Sequence, residues 1–351
     1  MIKNKEMKIL HIANTNHFSG AENVICQIVS LFKDEPEVEM AYVSPEGSIR
    51  EALSERGVRY IPIKLMTVKE LRKVFKEEKP DVVHAHDMKA SLIASLACGR
   101  IKFVSHLHNN DFANRRLSMK SIGYLLPAMK ASHIFYVSRS AYNGYLFHRL
   151  FARKSSVLYN VIDIEALKIK AGTDHRQYEY DAIYLGRLTY QKNPIRLLKV
   201  FRLIADAYPA FKASIVGTGE MEQEVVSEWK RLGLQDHVEL LGFVSNPLKL
   251  LQDAKFMLMT SRWEGTPMCA LEALALGTPI ITTPTDGLAD IIEQGKHGFM
   301  SDEDEELVKK AVLLMKDEEQ RKQISRACVE KAKELNDVVK YKTEINKVYS
   351  N

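Results

Sequence analysis

Short apolar segments alternate with amphipathic helical ones along almost the whole chain, and this happens twice. In the first half, strand-like runs lie near 8–13, 38–43, 58–63, 81–86, 102–107, 133–138 and 155–159, with helical patterns such as Ala21 to Phe32 and Val68 to Lys79 between them. In the second half the runs lie near 181–186, 211–217, 238–243, 255–260 and 279–283, separated by helices such as Ile195 to Ala207 and Met221 to Leu232. A buried strand followed by a crossover helix is the unit of a parallel sheet covered by helices. Two such runs in 351 residues predict two α/β domains of ordinary size. The expected division is 1–165 and 166–337, with polar Lys168 to Glu179 as the linker candidate and tail helices from Glu305 to Tyr349. Ligands of open α/β sheets bind at the carboxyl ends of the strands, so two facing domains would enclose a cleft.

A hydrophobic content of 46% and a charged content of 27% exclude disorder. No apolar run is long enough to span a bilayer, and the start reads as leading into a strand rather than as a secretory signal. Cys26, Cys98, Cys269 and Cys328 are scattered without CxxC spacing, which points to reduced, buried thiols in a cytoplasmic protein and away from a zinc module. The net charge of +5 hides an asymmetry: from Lys89 to Lys154 there are eleven cations and one acid, Asp111. Acids gather instead in the C-terminal half, as in Asp302-Glu303-Asp304-Glu305-Glu306.

The chemistry concentrates at strand ends. Glu264-Gly265-Thr266-Pro267-Met268 leads into an apolar helix carrying Glu272, closed by Gly277 and followed by the strand Ile280-Ile281-Thr282. Pro267 reads as the first helical residue, and Glu272 is expected about two turns on and buried. Free N–H groups and the positive dipole end at Thr266 to Met268 suit a phosphate. Carboxylates beside them accept hydrogen bonds from hydroxyls. Diphosphate plus hydroxyls describes a nucleotide sugar.

Gly186-Arg187 and Lys192 follow another strand and read either as a diphosphate clamp or as two surface cations. Gly217-Thr218-Gly219 reads as a close backbone approach to a nucleotide or as a plain tight turn, since a lone GxG is weak. Phe243 and Val244 end the next strand, where a base or ribose would lie. In the first half, Ser19-Gly20-Ala21-Glu22 opens the first helix, while His84-x-His86 and His106-x-His108 each end a strand. The histidine pairs are expected to line a polar wall, with sugar contact ranked above metal ligation. Asp302-x-Asp304 reads as a helix start rather than a metal site.

Taken together, these motifs resemble the retaining glycosyltransferases with the GT-B fold, two Rossmann-like doubly wound parallel-sheet domains facing a cleft, and in particular family 4. The resemblance covers nearly the whole chain. Its most specific elements are Glu264-x7-Glu272 and Gly186-Arg187 with Lys192. It implies a nucleotide-sugar donor in the C-terminal domain and an acceptor in the N-terminal one, with residues 338–351 crossing back onto the latter. Arg187 and Lys192 would hold the diphosphate, Glu272 the ribose and Glu264 the donor sugar, helped by backbone near Thr266, Pro267 and Met268. His108 would sit near the reacting sugar, with His106 as the fallback. Gly20, Gly186, Gly217 and Gly219 would let the backbone approach the donor. The chain departs from the family at Ser19-Gly20, often Gly-Gly, at Asn109, often Gly, and near Asp286 to Asp290.

The function expected is transfer of a hexose or N-acetylhexosamine, from a UDP-sugar by preference, to a lipid-linked acceptor in bacterial surface polysaccharide assembly. The implied transfer is metal-independent and needs no cofactor. The basic, apolar stretch from Lys89 to Lys154 is expected to rest on an anionic membrane at the inner face of the cell membrane, and nucleic acid is not expected. The competing readings are a nucleotide-sugar epimerase on the same fold and a non-catalytic partner subunit that binds nucleotide sugar.

Overall fold

The computed structural model of the protein describes residues 7–108 and 112–350. Residues 1–6, Asn109, Asp111 and Asn351 lie outside them. The described strands are β1 (Met7–Ile12), β2 (Val38–Pro45), β3 (Tyr60–Ile63), β4 (Val82–His86), β5 (Lys102–Leu107), β6 (His133–Tyr136) and β7 (Ser155–Val157) in one sheet. A second sheet holds β8 (Ala182–Leu185), β9 (Ala213–Val216), β10 (Val238–Gly242), β11 (Phe256–Met259), β12 (Ile280–Thr282) and β13 (Gly298–Met300).

Both sheets pair in parallel throughout. Their orders are β3-β2-β1-β4-β5-β6-β7 and β10-β9-β8-β11-β12-β13. Counted within each sheet, both follow the doubly wound pattern, in which the winding reverses between the first and fourth strands. The reversal falls between β1 and β4 in one sheet and between β8 and β11 in the other. Loops leaving those neighbours diverge and open a crevice.

The strands are buried on both faces, as parallel sheets require: Ile9, Leu10, Val83 and Val104 are fully enclosed in the first sheet, and Ile183, Phe256, Leu258 and Ile281 in the second. Helix boundaries follow local chemistry. Thr67 caps Val68–Glu78 by accepting from the Glu70 N–H at 3.3 Å, and Lys79 ends it in the left-handed region at φ 48°.

The chain divides into unit 1, Met1–Val161 with Val338–Asn351, and unit 2, Ile162–Asp337. The boundary therefore precedes residue 165, and Lys168 to Glu179 is no linker. Its first part belongs to the helix Ile164–Gly172, capped by Asp163, whose carboxylate accepts from the Ala166 N–H at 2.9 Å. Its last part is tied into unit 2, where the Tyr178 N–H donates to Asp253 Oδ2 at 3.2 Å. The polarity that looked like a linker is the exposed side of a capped helix. The strand β13 escaped the sequence reading because three residues carry too little pattern.

The helix Val338–Ser350 completes unit 1 by burying Tyr341, Ile345 and Tyr349. The Tyr349 hydroxyl meets His84 Nδ1 at 2.6 Å, Lys102 Nζ donates to the Tyr349 carbonyl at 3.1 Å, and Lys342 pairs with Glu35 at 2.5 Å. Tyr349→Ala should lower stability by roughly 3–5 kcal/mol, the cost of emptying a large aromatic site. Tyr349→Phe, losing one hydroxyl contact, should cost only about 1 kcal/mol. Urea unfolding of both variants checks the ordering.

Candidate active site

In unit 2 the loops after β8 and β11 meet across the reversal point. The first runs Gly186 to Asn193 into the helix Pro194–Ala207, and the second runs Thr260 to Pro267 into the helix Met268–Leu276. They are joined by several bonds. Arg262 N donates to the Gln191 carbonyl at 2.8 Å, Gln191 Nε2 to the Trp263 carbonyl at 2.9 Å, and Thr260 Oγ1 to the Asn193 carbonyl at 3.0 Å. Arg262 also lies over the Tyr190 ring at 4.3 Å and donates to Asn193 Oδ1 at 3.0 Å. Asn193 holds a left-handed conformation at φ 53°, tolerated by Asn better than by most residues, and so turns the chain into its helix.

This bracing brings Lys192 Nζ within 2.6 Å of Glu264 Oε1. The side chains are only 12% and 4% exposed, so the pair is desolvated. Burial works against the Lys192 ammonium, but the Glu264 carboxylate outweighs it and raises the pKa. Arg187 lies close enough to oppose that charge. Among the described residues its guanidinium has no carboxylate partner. A charged pair with a second cation beside it, at a helix start, is an arrangement that a diphosphate would complete.

Pro267 occupies the N-cap position at ψ 127°, so the helix begins at Met268, one residue later than expected. Glu272 is the fifth residue of the helix Met268–Leu276, a little over one turn in; at 3.6 residues per turn even a start at Pro267 would give only about 1.4 turns, not two. It is half-buried rather than enclosed, because Ala270, Leu271, Ala273 and Leu274 take the buried faces. Gly277 closes the helix at φ 78°, as its position implied. Thr266, Pro267 and Met268 are buried beside Glu264.

The glycine turns fit against one another. A Cβ on Gly217 would stand 2.0 Å from the Gly186 carbonyl oxygen, and one on Gly219 would stand 2.3 Å from that of Leu188. Their glycine requirement is thus already met by backbone packing on the Gly186 loop. Gly287, unassigned from sequence, does the same for the Glu264 loop: its Cβ would fall 1.3 Å from the Gly265 oxygen. Phe243 and Val244 follow β10, the edge strand away from the reversal point, and Phe243 is 68% exposed. Asp302 and Asp304 both pair with Arg196 at 2.8 Å, which gives the acidic run a structural role. The cysteines are free thiols; Cys26, Cys98 and Cys328 are buried, whereas Cys269, in the first turn of the helix Met268–Leu276, is partly exposed.

In unit 1 the register sets His11 beside His84 and His86 beside His106 on adjacent strands. Alternation along β4 and β5 keeps each His-x-His pair on one face. His11, His84, His86, His106 and His108 are all buried. His11 Nδ1 contacts His86 Nε2 at 3.0 Å, and His86 Nδ1 contacts His108 Nε2 at 2.8 Å. Asp87, at φ 68°, is held in a conformation rare outside glycine. Its N–H donates to the His106 carbonyl at 2.8 Å, and its carboxylate accepts from the His108 N–H at 3.2 Å. Gly20 begins the helix Gly20–Leu31 and is exposed. Glu22, buried in its first turn, accepts from the Thr15 and Ser19 hydroxyls and draws the preceding loop together. Position-specific signals for Glu22, Asp87 and Gly287 were absent: each is recognisable only by what it touches.

Two family models match end to end, Glycosyltransferase Family 4 over residues 18–166 and Glycosyl transferases group 1 over residues 166–331. An uncharacterized glycosyltransferase of Methanocaldococcus jannaschii is 26% identical over 322 residues, spanning 75% of this chain and 78% of its own. A Campylobacter jejuni alpha-1,4-N-acetyl-D-galactosaminyltransferase, named for a diNAcBac-PP-undecaprenol acceptor, is 25% identical over 345 residues and 94% of each chain. The Anabaena protein HepE, solved in complex with UDP, superposes with a TM-score of 0.82 at 21% identity, covering 98% of this chain and 100% of that one. The protein is a glycosyltransferase with the GT-B fold. It belongs to the family 4 type, as both matched halves and the paired doubly wound sheets require.

Burial holds the five histidines neutral, with His11 lowered to about 3 and His108 to about 4, the latter against the opposing pull of the Glu22 carboxylate. His84, His86 and His106 are also held well below the ordinary value, by burial first and then by neighbouring imidazoles. Unfolded histidines protonate below their ordinary 6.5, so the unfolded state takes up protons that the folded state refuses. Stability should therefore be level above about pH 7 and fall steadily from about 6.5 toward 4. Urea midpoints against pH check this, and His11→Gln should flatten the slope.

Proposed function

We propose that this chain transfers a hexose or N-acetylhexosamine from a nucleotide diphosphosugar, a UDP-sugar by preference, to a lipid-linked acceptor in bacterial surface polysaccharide assembly. The observation that carries the reading is the buried Lys192–Glu264 pair beside Arg187, at the reversal point of unit 2. The relatives lend support: HepE is solved with UDP and with UDP-glucose, and one S. aureus relative is named for capsular polysaccharide biosynthesis.

In this reading the diphosphate enters against the first-turn N–H groups of the helix Met268–Leu276 and competes with Glu264 for Lys192. Lys192 and Arg187 then stabilise the charge that develops on the departing diphosphate, the work that a metal does in other transferases. Glu264, released from Lys192, accepts hydrogen bonds from donor-sugar hydroxyls, and Glu272 accepts from the ribose. Phe243 and Val244 line the base side. His108, held neutral by burial, positions hydroxyls rather than acting as a strong base. Configuration is retained through front-face attack, with a phosphate oxygen helping to take the acceptor proton. Metal independence follows from this division of labour.

The acceptor side of the reading rests on a surface of unit 1. Met119 and Met129 are 88% and 62% exposed on the short helices Met119–Gly123 and Leu125–Lys130, and Leu117 and Leu150 are each 71% exposed. Exposed Lys130, Arg149 and Arg153 stand among them. Apolar side chains interspersed with cations suit the boundary of an anionic bilayer, which would place the enzyme at the inner face of the membrane. Among the described residues no helix is long and apolar enough to cross a membrane.

Thermal shift against UDP, GDP and ADP, with and without EDTA, tests the donor site. UDP should raise Tm by an increment that EDTA leaves alone. Glu272→Ala and Lys192→Ala should each weaken that shift by about tenfold in apparent affinity, the loss of one charge-assisted hydrogen bond. No shift with any nucleotide would favour the non-catalytic reading. Flotation with liposomes tests the membrane surface: binding should rise with anionic lipid and fall with salt, and Met119→Glu with Leu150→Glu should abolish it.

A further inference from the structure

The transfer reading uses one imidazole of unit 1 and leaves four buried ones unexplained. His106 is fully enclosed, yet among the described residues neither of its ring nitrogens has a hydrogen-bond partner, nor has His108 Nδ1. Burying an unpaired polar group is costly, so an enclosed imidazole with both nitrogens uncommitted is a candidate ligand to a bound group. We propose that His86, His106 and His108 form a site for one divalent transition-metal ion of the zinc, cobalt or nickel class.

The geometry starts from the register. β4 and β5 pair with His86 opposite His106, and His108 continues the same face two residues on. One ring nitrogen from each of the three lies within 4.8 Å of the other two. Neutral imidazole is the ligand form of histidine, and three nitrogen ligands with an open position suit this class of ion rather than magnesium or calcium. The His86 and His108 rings are stacked at 26°, and His106 is tilted by 30° against His108. His106, whose ring nitrogens have no hydrogen-bond partner among the described residues, is the ring that turns toward an ion without breaking a bond.

The protons balance without net release. The contacts at 3.0 Å (His11 Nδ1 to His86 Nε2) and 2.8 Å (His86 Nδ1 to His108 Nε2) allow two tautomer chains. The site uses the one in which His86 Nε2–H donates to His11 Nδ1, leaving the His86 lone pair on Nδ1 and, without an ion, requiring the His108 proton on Nε2. When an ion enters, the His108 proton moves to Nδ1, and the two facing lone pairs become ligands. His11 then serves as the outer acceptor that fixes the His86 tautomer, as outer partners do in known metal sites. The alternative set, His11, His84 and His86, is less suited because the Tyr349 hydroxyl already engages His84 Nδ1. His108, 8% exposed, gives the chosen set its way in.

Tag-free protein stripped with a chelator and titrated with cobalt(II) tests this. Visible d–d absorption should saturate at one cobalt per chain and be lost on adding one zinc. His106→Gln and His86→Gln should each weaken zinc binding by about tenfold or more, whereas His17→Gln, at an exposed histidine, should leave it unchanged. If the variants fold poorly, nitrogen NMR of histidine-labelled wild-type protein decides: zinc should move the ring nitrogens of His86, His106 and His108. Absence of stoichiometric cobalt or zinc binding overturns the proposal. So does absorption that survives in both variants, or zinc that perturbs only exposed histidines. The readout is independent of sugar transfer, and the UDP shift in unit 2 is expected to ignore the ion.

Discussion

Everything at the candidate site depends on parallel pairing between strands far apart in sequence. β8 must find β11 and β1 must find β4 before any loop can face another. Each pairing reverses the winding of its sheet, and the side chains that matter leave the sheet there. Unit 2 exploits the gap with charge, through Lys192 and Glu264. Unit 1 fills the equivalent place with neutral imidazoles. The same topology thus carries two kinds of side-chain cluster, one charged and one neutral.

The two solutions differ in how they manage burial. The Lys192–Glu264 pair is desolvated but mutually satisfied, so each partner prevents the other from becoming an unpaired buried charge. The histidines avoid charge altogether, at the expense of unpaired nitrogens. Asp87 and Glu22 sit at the edge of this cluster, one strained at φ 68° and the other enclosed with two hydroxyls.

Much of this was legible in the sequence. Apolar runs and helix periodicity gave both sheets, since a parallel strand buried on two faces has an unmistakable composition. The motifs around Gly186, Lys192 and Glu264 stood at strand ends, where topology makes them converge. The departures have local causes. Lys168 to Glu179 is polar because its helix is exposed, not because it links domains. Glu272 is half-buried because Ala270, Leu271, Ala273 and Leu274 take the buried faces of its helix. The glycines of Gly217-Thr218-Gly219 are explained by a neighbouring backbone, a contact that no spacing reveals. Asp87 and Gly287 were given no role because their partners, His106 and His108 or the Gly265 backbone, lie far along the chain, and Glu22 was read only as part of a helix opening.

The helix Val338–Ser350 belongs to unit 1, although all of unit 2 precedes it. Unit 2 is therefore an insertion within unit 1, and the order of synthesis is not the order of completion. As the chain emerges, unit 2 has its whole sequence while unit 1 still lacks the helix that covers His84 and Phe32. The half built first waits, partly open, for the half built second, and a single late helix closes it.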